Sequence, residues 1–179
     1  NAAAVRTKPG VSIAFQCTTW FAGWSGAPSA DFFAQSDYVA GDFYGNAVQQ
    51  SFICKFLNNV TNNKPIEFMT SRCYDLNDHT TIKTRELLEA QVYSAMSNNA
   101  GFVFIDAIDP AGTLNPAVYE LMGGLFRETR RFEPYLDSRA RLLADVAIYL
   151  NFESMINLDD NGKRADTATQ YVNPIARAQ

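Results

Sequence analysis

The chain of 179 residues has the length of one domain, or of one domain and part of a second. With 47% hydrophobic and 19% charged residues it has the makeup of a folded globular protein, which excludes wholesale disorder. A formal net charge of −4 with no basic stripe argues against nucleic acid as a partner, and no apolar run approaches bilayer-spanning length, so no membrane helix is expected.

Val11–Gln16, introduced by the Pro9-Gly10 turn, reads as a strand. Cys17–Ala30 has no helical period and reads as a long loop rich in Thr, Gly, Ser and aromatic residues. Asp37–Asp42 is a candidate short strand. From Ala47 to Val60 the apolar residues Val48, Phe52, Ile53, Phe56, Leu57 and Val60 recur every three or four positions, which predicts an amphipathic helix. Lys64-Pro65 then leads into a strand over 66–70. The polar loop 71–81 precedes a helix at about 84–98, with Leu87, Leu88, Val92, Ala95 and Met96 inward. Phe102–Asp106 is a continuous apolar run closed by a carboxylate, the pattern of a strand covered on both faces. Asn115 caps and Pro116 opens a further helix with the stripe Val118, Leu121, Met122, Leu125 and Phe126, and Ala144–Leu150 reads as a last strand.

This alternation predicts an α/β fold with a parallel sheet clothed in helices. In both barrel and open versions of that design the chemistry sits beyond the carboxyl ends of the strands. The loops leaving those ends, 17–30, 42–46, 71–81 and 107–115, hold most of the unusual polar and aromatic residues. Cys17, Cys54 and Cys73 lie far apart and His79 is the single histidine, so no Cys/His metal site is expected and the thiols read as core residues. No glycine-rich phosphate loop, zinc-protease helix or nucleophile-elbow pattern occurs.

Carboxylates and aromatics remain. Glycoside hydrolysis requires two carboxyl groups about an anomeric carbon, one of which gives a proton to the leaving oxygen. Asp42, beside Phe43 and near Tyr38, has surroundings able to raise a carboxyl pKa; the alternative is a turn cap beside Gly41 and Gly45. Trp20 and Trp24 offer indole faces on which sugar rings stack, or they pack the loop onto the rim. Arg72, His79 and Asp106 are candidates for reading sugar hydroxyls, although Arg72 has Asp75 and Asp106 as alternative ion-pair partners.

The strings Met69-Thr-Ser-Arg-Cys73, Leu76-Asn-Asp-His-Thr-Thr81, Phe104-Ile-Asp-Ala-Ile-Asp-Pro-Ala-Gly-Thr-Leu-Asn-Pro116 and Glu133-Pro-Tyr-Leu136 resemble bacterial glycoside hydrolases of the alpha-L-fucosidase type. The likeness is to glycoside hydrolase family 151 and the hypothetical glycosyl hydrolase domain, more distantly to family 29, and runs from about Pro9 to about Ser154. It implies that residues 1–136 are the C-terminal half of a TIM-type (β/α)8 barrel, with strands beginning at Val11, Asp37, Ile66 and Phe102. Residues 137–179 would be a linker and the start of a flavodoxin-like domain akin to the beta-galactosidase trimerisation domain, with Leu143–Leu150 its first strand. Four strands cannot close a barrel, and about 250 residues are usual, so the sequence reads as a fragment. The resemblance implies retaining exo-hydrolysis of terminal alpha-L-fucosides without a cofactor. It puts the nucleophile upstream of Asn1 and makes Asp42 the positional match for the acid/base. It also allows a homo-oligomer through the trailing domain, and a cytoplasmic or a secreted location alike. A beta-galactosidase-like hydrolase and a non-catalytic carbohydrate-binding or oligomerisation module are the alternatives, and an open α/β domain for a phosphorylated ligand is a further one.

Overall fold

The computed structural model describes residues 2–15, 30–60, 62, 65–75, 78, 80–137, 139–149, 156–157 and 163–164. Its centre is a parallel three-stranded sheet of β1 (Val39–Asp42), β2 (Ile66–Ser71) and β3 (Ala100–Ile105), in the order β1-β2-β3. Helix α3 (Ala47–Val60) connects β1 to β2, and α4 (Arg85–Ser97) connects β2 to β3. Helix α5 (Pro116–Thr129) follows and runs into a 3-10 turn, Arg130–Tyr135. Two short helices, α1 (Ala2–Thr7) and α2 (Ala30–Gln35), precede the sheet, and a small antiparallel pair, β4 (Ile156–Asn157) with β5 (Lys163–Arg164), comes late in the chain.

Helices α4 and α5 each begin at a side-chain cap. The Thr84 side chain accepts from Leu87 N at the start of α4, and the Asn115 side chain accepts from Ala117 N and Val118 N at the start of α5, satisfying first-turn donors that have no partner within the helix. Helices α3 and α4 pack against each other, and α4 packs on β3 and α5. Right-handed crossovers between strands in sequential order put such helices on one face of a sheet.

Side chains alternate along a strand, so the register decides which residues share a face. Ile66 pairs with Ala100 and Phe68 with Phe102, while Val39 and Gly41 lie opposite Ile66 and Phe68. These residues form the helix-covered face. Val39, Ile66, Phe68 and Ala100 bury themselves with Phe52, Ile53, Cys54 and Leu57 of α3 and Ala95 of α4. Phe68 and Phe102 stack with centroids 5.8 Å apart, and Phe104 meets Phe126 of α5 edge-on at 5.5 Å.

The alternate residues form the other face in three rows: Ala40, Glu67 and Gly101; Asp42, Met69 and Val103; Ser71 and Ile105. This face is only partly covered, with Val103 39% exposed. The expectation that the apolar run at 102–106 is covered on both sides is therefore corrected: β3 is buried toward the helices alone.

Two expected strands do not form. Residues 11–15 carry no strand; Ile13 O accepts from Asp37 N at 2.8 Å, but Ile13 N donates to the Asp37 carboxylate at 2.7 Å. A side chain has taken the donor at Ile13 that a strand pairing would use. Residues 143–149 are irregular, with Leu143 95% exposed and Val146 and Tyr149 also in solvent. That stretch has strand-forming composition but no neighbouring strand among the described residues to take its main-chain groups.

Candidate active site at the carboxyl rim of the sheet

Asp42 ends β1 on the sparsely covered face. The chain then continues in extended alternation, with Phe43 N donating to Met69 O at 2.8 Å. Phe43 consequently turns inward, its ring 5.4 Å from that of Phe68, and Tyr44 returns to the side of Asp42. The aromatic neighbour that shapes the surroundings of Asp42 is therefore Tyr44, and Phe43, expected in that role, belongs to the core. Burial, reinforced by the negative charges of Asp42 and Asp75, pushes the Tyr44 phenol up to about 12. Asp75, exposed on the loop after β2, thus belongs to the same neighbourhood as Asp42 and Tyr44.

Arg72 and Asp106 follow directly on β2 and β3. Arg72 N donates to Ile105 O at 3.0 Å, extending the pairing past the strand end. That brings the Arg72 Nε to Asp106 Oδ1 at 2.5 Å, with the two side chains only 8% and 6% exposed. Of the two carboxylates the sequence offers, Arg72 takes Asp106. Its Nη1 also donates to Thr81 O at 2.7 Å, and Asp106 Oδ1 accepts from Ala107 N at 2.8 Å. Asp106 Oδ2 is buried with no hydrogen-bond partner among the described residues. By strand alternation this pair continues the helix-side row of Thr70 and Phe104, whereas Asp42 belongs to the opposite row.

Lys83 lies beneath the loop and was not marked by the sequence. It is 5% exposed, and its ammonium donates to Ser71 O at 2.6 Å, Thr70 Oγ1 at 3.2 Å and Gln91 Oε1 at 3.4 Å, all uncharged acceptors. Burial pushes its pKa below the usual lysine range, opposed by the nearby Cys73 thiol. Lys83 N also donates to Arg72 O at 2.8 Å. The two ends of the loop are thereby fastened together: Lys83 holds the carbonyls of Ser71 and Arg72, and the Arg72 guanidinium holds that of Thr81. Within the loop, the Asp78 carboxylate accepts from Thr80 N at 3.1 Å, from Thr80 Oγ1 at 2.9 Å and from Thr81, which holds it down to about 2.

The structure thus describes three of the six residues singled out from sequence: Asp42, Arg72 and Asp106. Trp20, Trp24 and His79 lie outside the described residues. Tyr44 was legible only through alternation past the end of β1, two positions from Asp42. Cys54 and Cys73 are buried free thiols, and burial pushes Cys54 up to about 12. Among the described residues no group of three His, Cys, Asp or Glu side chains could hold a metal ion, and no helix is long and apolar enough to cross a membrane. No family model matches the chain, nor does any curated protein or solved structure.

Proposed function

We propose that the chain is part of a glycoside hydrolase of the retaining, exo-acting kind, with terminal alpha-L-fucosides as substrate, and that its sheet is a piece of the C-terminal half of a TIM-type barrel. The observation that carries this reading is the position of Asp42: a carboxylate at the carboxyl end of a parallel strand, on the face away from the helices, with Tyr44 and Asp75 beside it. Sequential strand order with helices on one side is the arrangement from which barrels are built, and their sites lie at this end.

In this reading Asp42 protonates the departing glycosidic oxygen, a nucleophile from another strand attacks the anomeric carbon, and Asp42 then takes a proton from the water that releases the sugar. Arg72 and Asp106, paired and buried on the row opposite Asp42, brace the strand ends beneath the site, and Arg72 neutralises and orients the carboxylate. Trp20, Trp24 and His79 complete the sugar contacts.

Calorimetric titration with methyl alpha-L-fucoside and methyl beta-D-galactoside, together with hydrolysis of the corresponding aryl glycosides by the full-length protein, tests the proposal. Turnover of the fucoside that is lost in Asp42→Asn is the expected result. Preference for the galactoside moves the substrate to the alternative hydrolase. Binding without turnover makes the chain a carbohydrate-binding module, and absence of both refutes the carbohydrate reading.

A further inference from the structure

The Tyr44 hydroxyl is buried and has no hydrogen-bond partner among the described residues. A phenol in that state has surrendered its hydration without a hydrogen bond from the described residues in return, and a ligand oxygen is one source of the missing partner. Strand alternation sets it on the same side as Asp42, and the Asp75 carboxylate acts on it from the loop after β2. With its pKa raised to about 12, the group keeps its proton throughout the neutral range and is available as a donor. The negative charge of Asp75 acts on it whichever protonation state Asp42 holds, so an anionic ligand would meet repulsion, whereas an uncharged hydroxyl or ether oxygen would not.

We propose that the Tyr44 hydroxyl is a substrate contact that donates to an oxygen of an uncharged sugar held at Asp42, and that the site selects against phosphorylated sugars. The inference rests on the carbohydrate reading above and deepens it. The ligand supplies the acceptor that the hydroxyl lacks among the described residues.

The test is Tyr44→Phe, read in two ways on the full chain. Its urea midpoint should equal or exceed that of the parent, because the lost oxygen makes no bond among the described residues. Its calorimetric affinity for methyl alpha-L-fucoside should fall about tenfold, the loss expected for one neutral hydrogen bond. The parent should bind the methyl glycoside more tightly than fucose 1-phosphate. A clearly lower urea midpoint in Tyr44→Phe would reveal an internal partner and overturn the proposal, as would unchanged affinity or tighter binding of the phosphate. If the parent binds neither methyl alpha-L-fucoside nor methyl beta-D-galactoside, the carbohydrate reading itself falls and this inference with it. A parent that binds, with a variant that binds equally well, removes only the role of Tyr44.

Discussion

Replacing Asp106 by alanine leaves the Arg72 guanidinium with a side chain 8% exposed and its Nε without the acceptor it had at 2.5 Å. Ala107 N loses its acceptor at the same time. Removing one partner of a buried ion pair costs about 3–5 kcal/mol, because the remaining charge stays desolvated. The surviving bond from Arg72 Nη1 to Thr81 O favours the lower part of that range. With a urea dependence of about 2 kcal/mol per molar, the unfolding midpoint of Asp106→Ala should fall by about 1.5–2 M. In the double variant Arg72→Met/Asp106→Leu both charges are gone, and the midpoint should return to within about 0.5 M of the parent, since apolar replacement of a buried pair is often neutral or stabilising. Urea titrations followed by far-ultraviolet circular dichroism measure the midpoints of the parent, Asp106→Ala and the double variant. A midpoint for Asp106→Ala within about 0.5 M of the parent would refute the reasoning, because it would mean that water screens the pair as it does on a surface.

Three further outcomes follow from the titrating groups. Lys83 has a lowered folded-state pKa, so below that value both states are protonated and the folded state carries the full desolvation cost. As pH rises toward the ordinary lysine value of 10.5 the folded amine gives up its proton first, and stability relative to Lys83→Met should increase; a parallel pH dependence for the two proteins counts against a buried charge. Comparison with the variant is essential, because Cys54 acts in the opposite direction: its thiol is raised from 9.0 to about 12, so its contribution is present below pH 9.0 and is lost as pH climbs toward 12. Cys54 should accordingly resist iodoacetamide at pH 9 until the protein is unfolded, as read by peptide mass mapping; rapid alkylation of the native protein would contradict its burial. Asp78 has a lowered pKa, so its contribution is present above the ordinary value of 3.8 and disappears as pH falls through about 2; a carboxyl carbon resonance titrating near 3.8 would show that the bonds to Thr80 and Thr81 do not persist in solution.

Local chemistry was legible where it did not depend on distant chain. Helix α3 spans the expected residues, since its apolar period runs over four turns, although Val48 at its start is exposed. The cap at Asn115 was readable because a side-chain oxygen next to a periodic stretch has a nearby donor to satisfy, and Thr84, expected as the start of α4, proves to be its cap. The six-residue helices α1 and α2 are too short for a period to show. Of the strand expected over residues 11–16, the described residues 11–15 carry none, and Ile13 N instead meets the carboxylate of Asp37, 24 positions away, a contact that no local pattern records. At residues 143–149 the composition favours a strand, but pairing requires a neighbour that composition cannot supply. In the candidate site, Asp42 followed from its place at a strand end. Tyr44 required one more step of alternation, and Lys83 runs against the rule that lysines stay in solvent, with Thr70, Ser71 and Gln91 providing the exception.

The fastening at the foot of the loop between Arg72 and Lys83 bears on how such a protein can change. Its bonds join Ser71, Arg72, Thr81 and Lys83 to one another, and none of them depends on the identity of residues 74–77. Lengthening a closed segment is inexpensive, about 0.6 kcal/mol for each doubling. The stretch that carries Tyr74 and Asp75 can thus be exchanged as a cassette, acquiring a new ligand preference while the sheet beneath it keeps its stability.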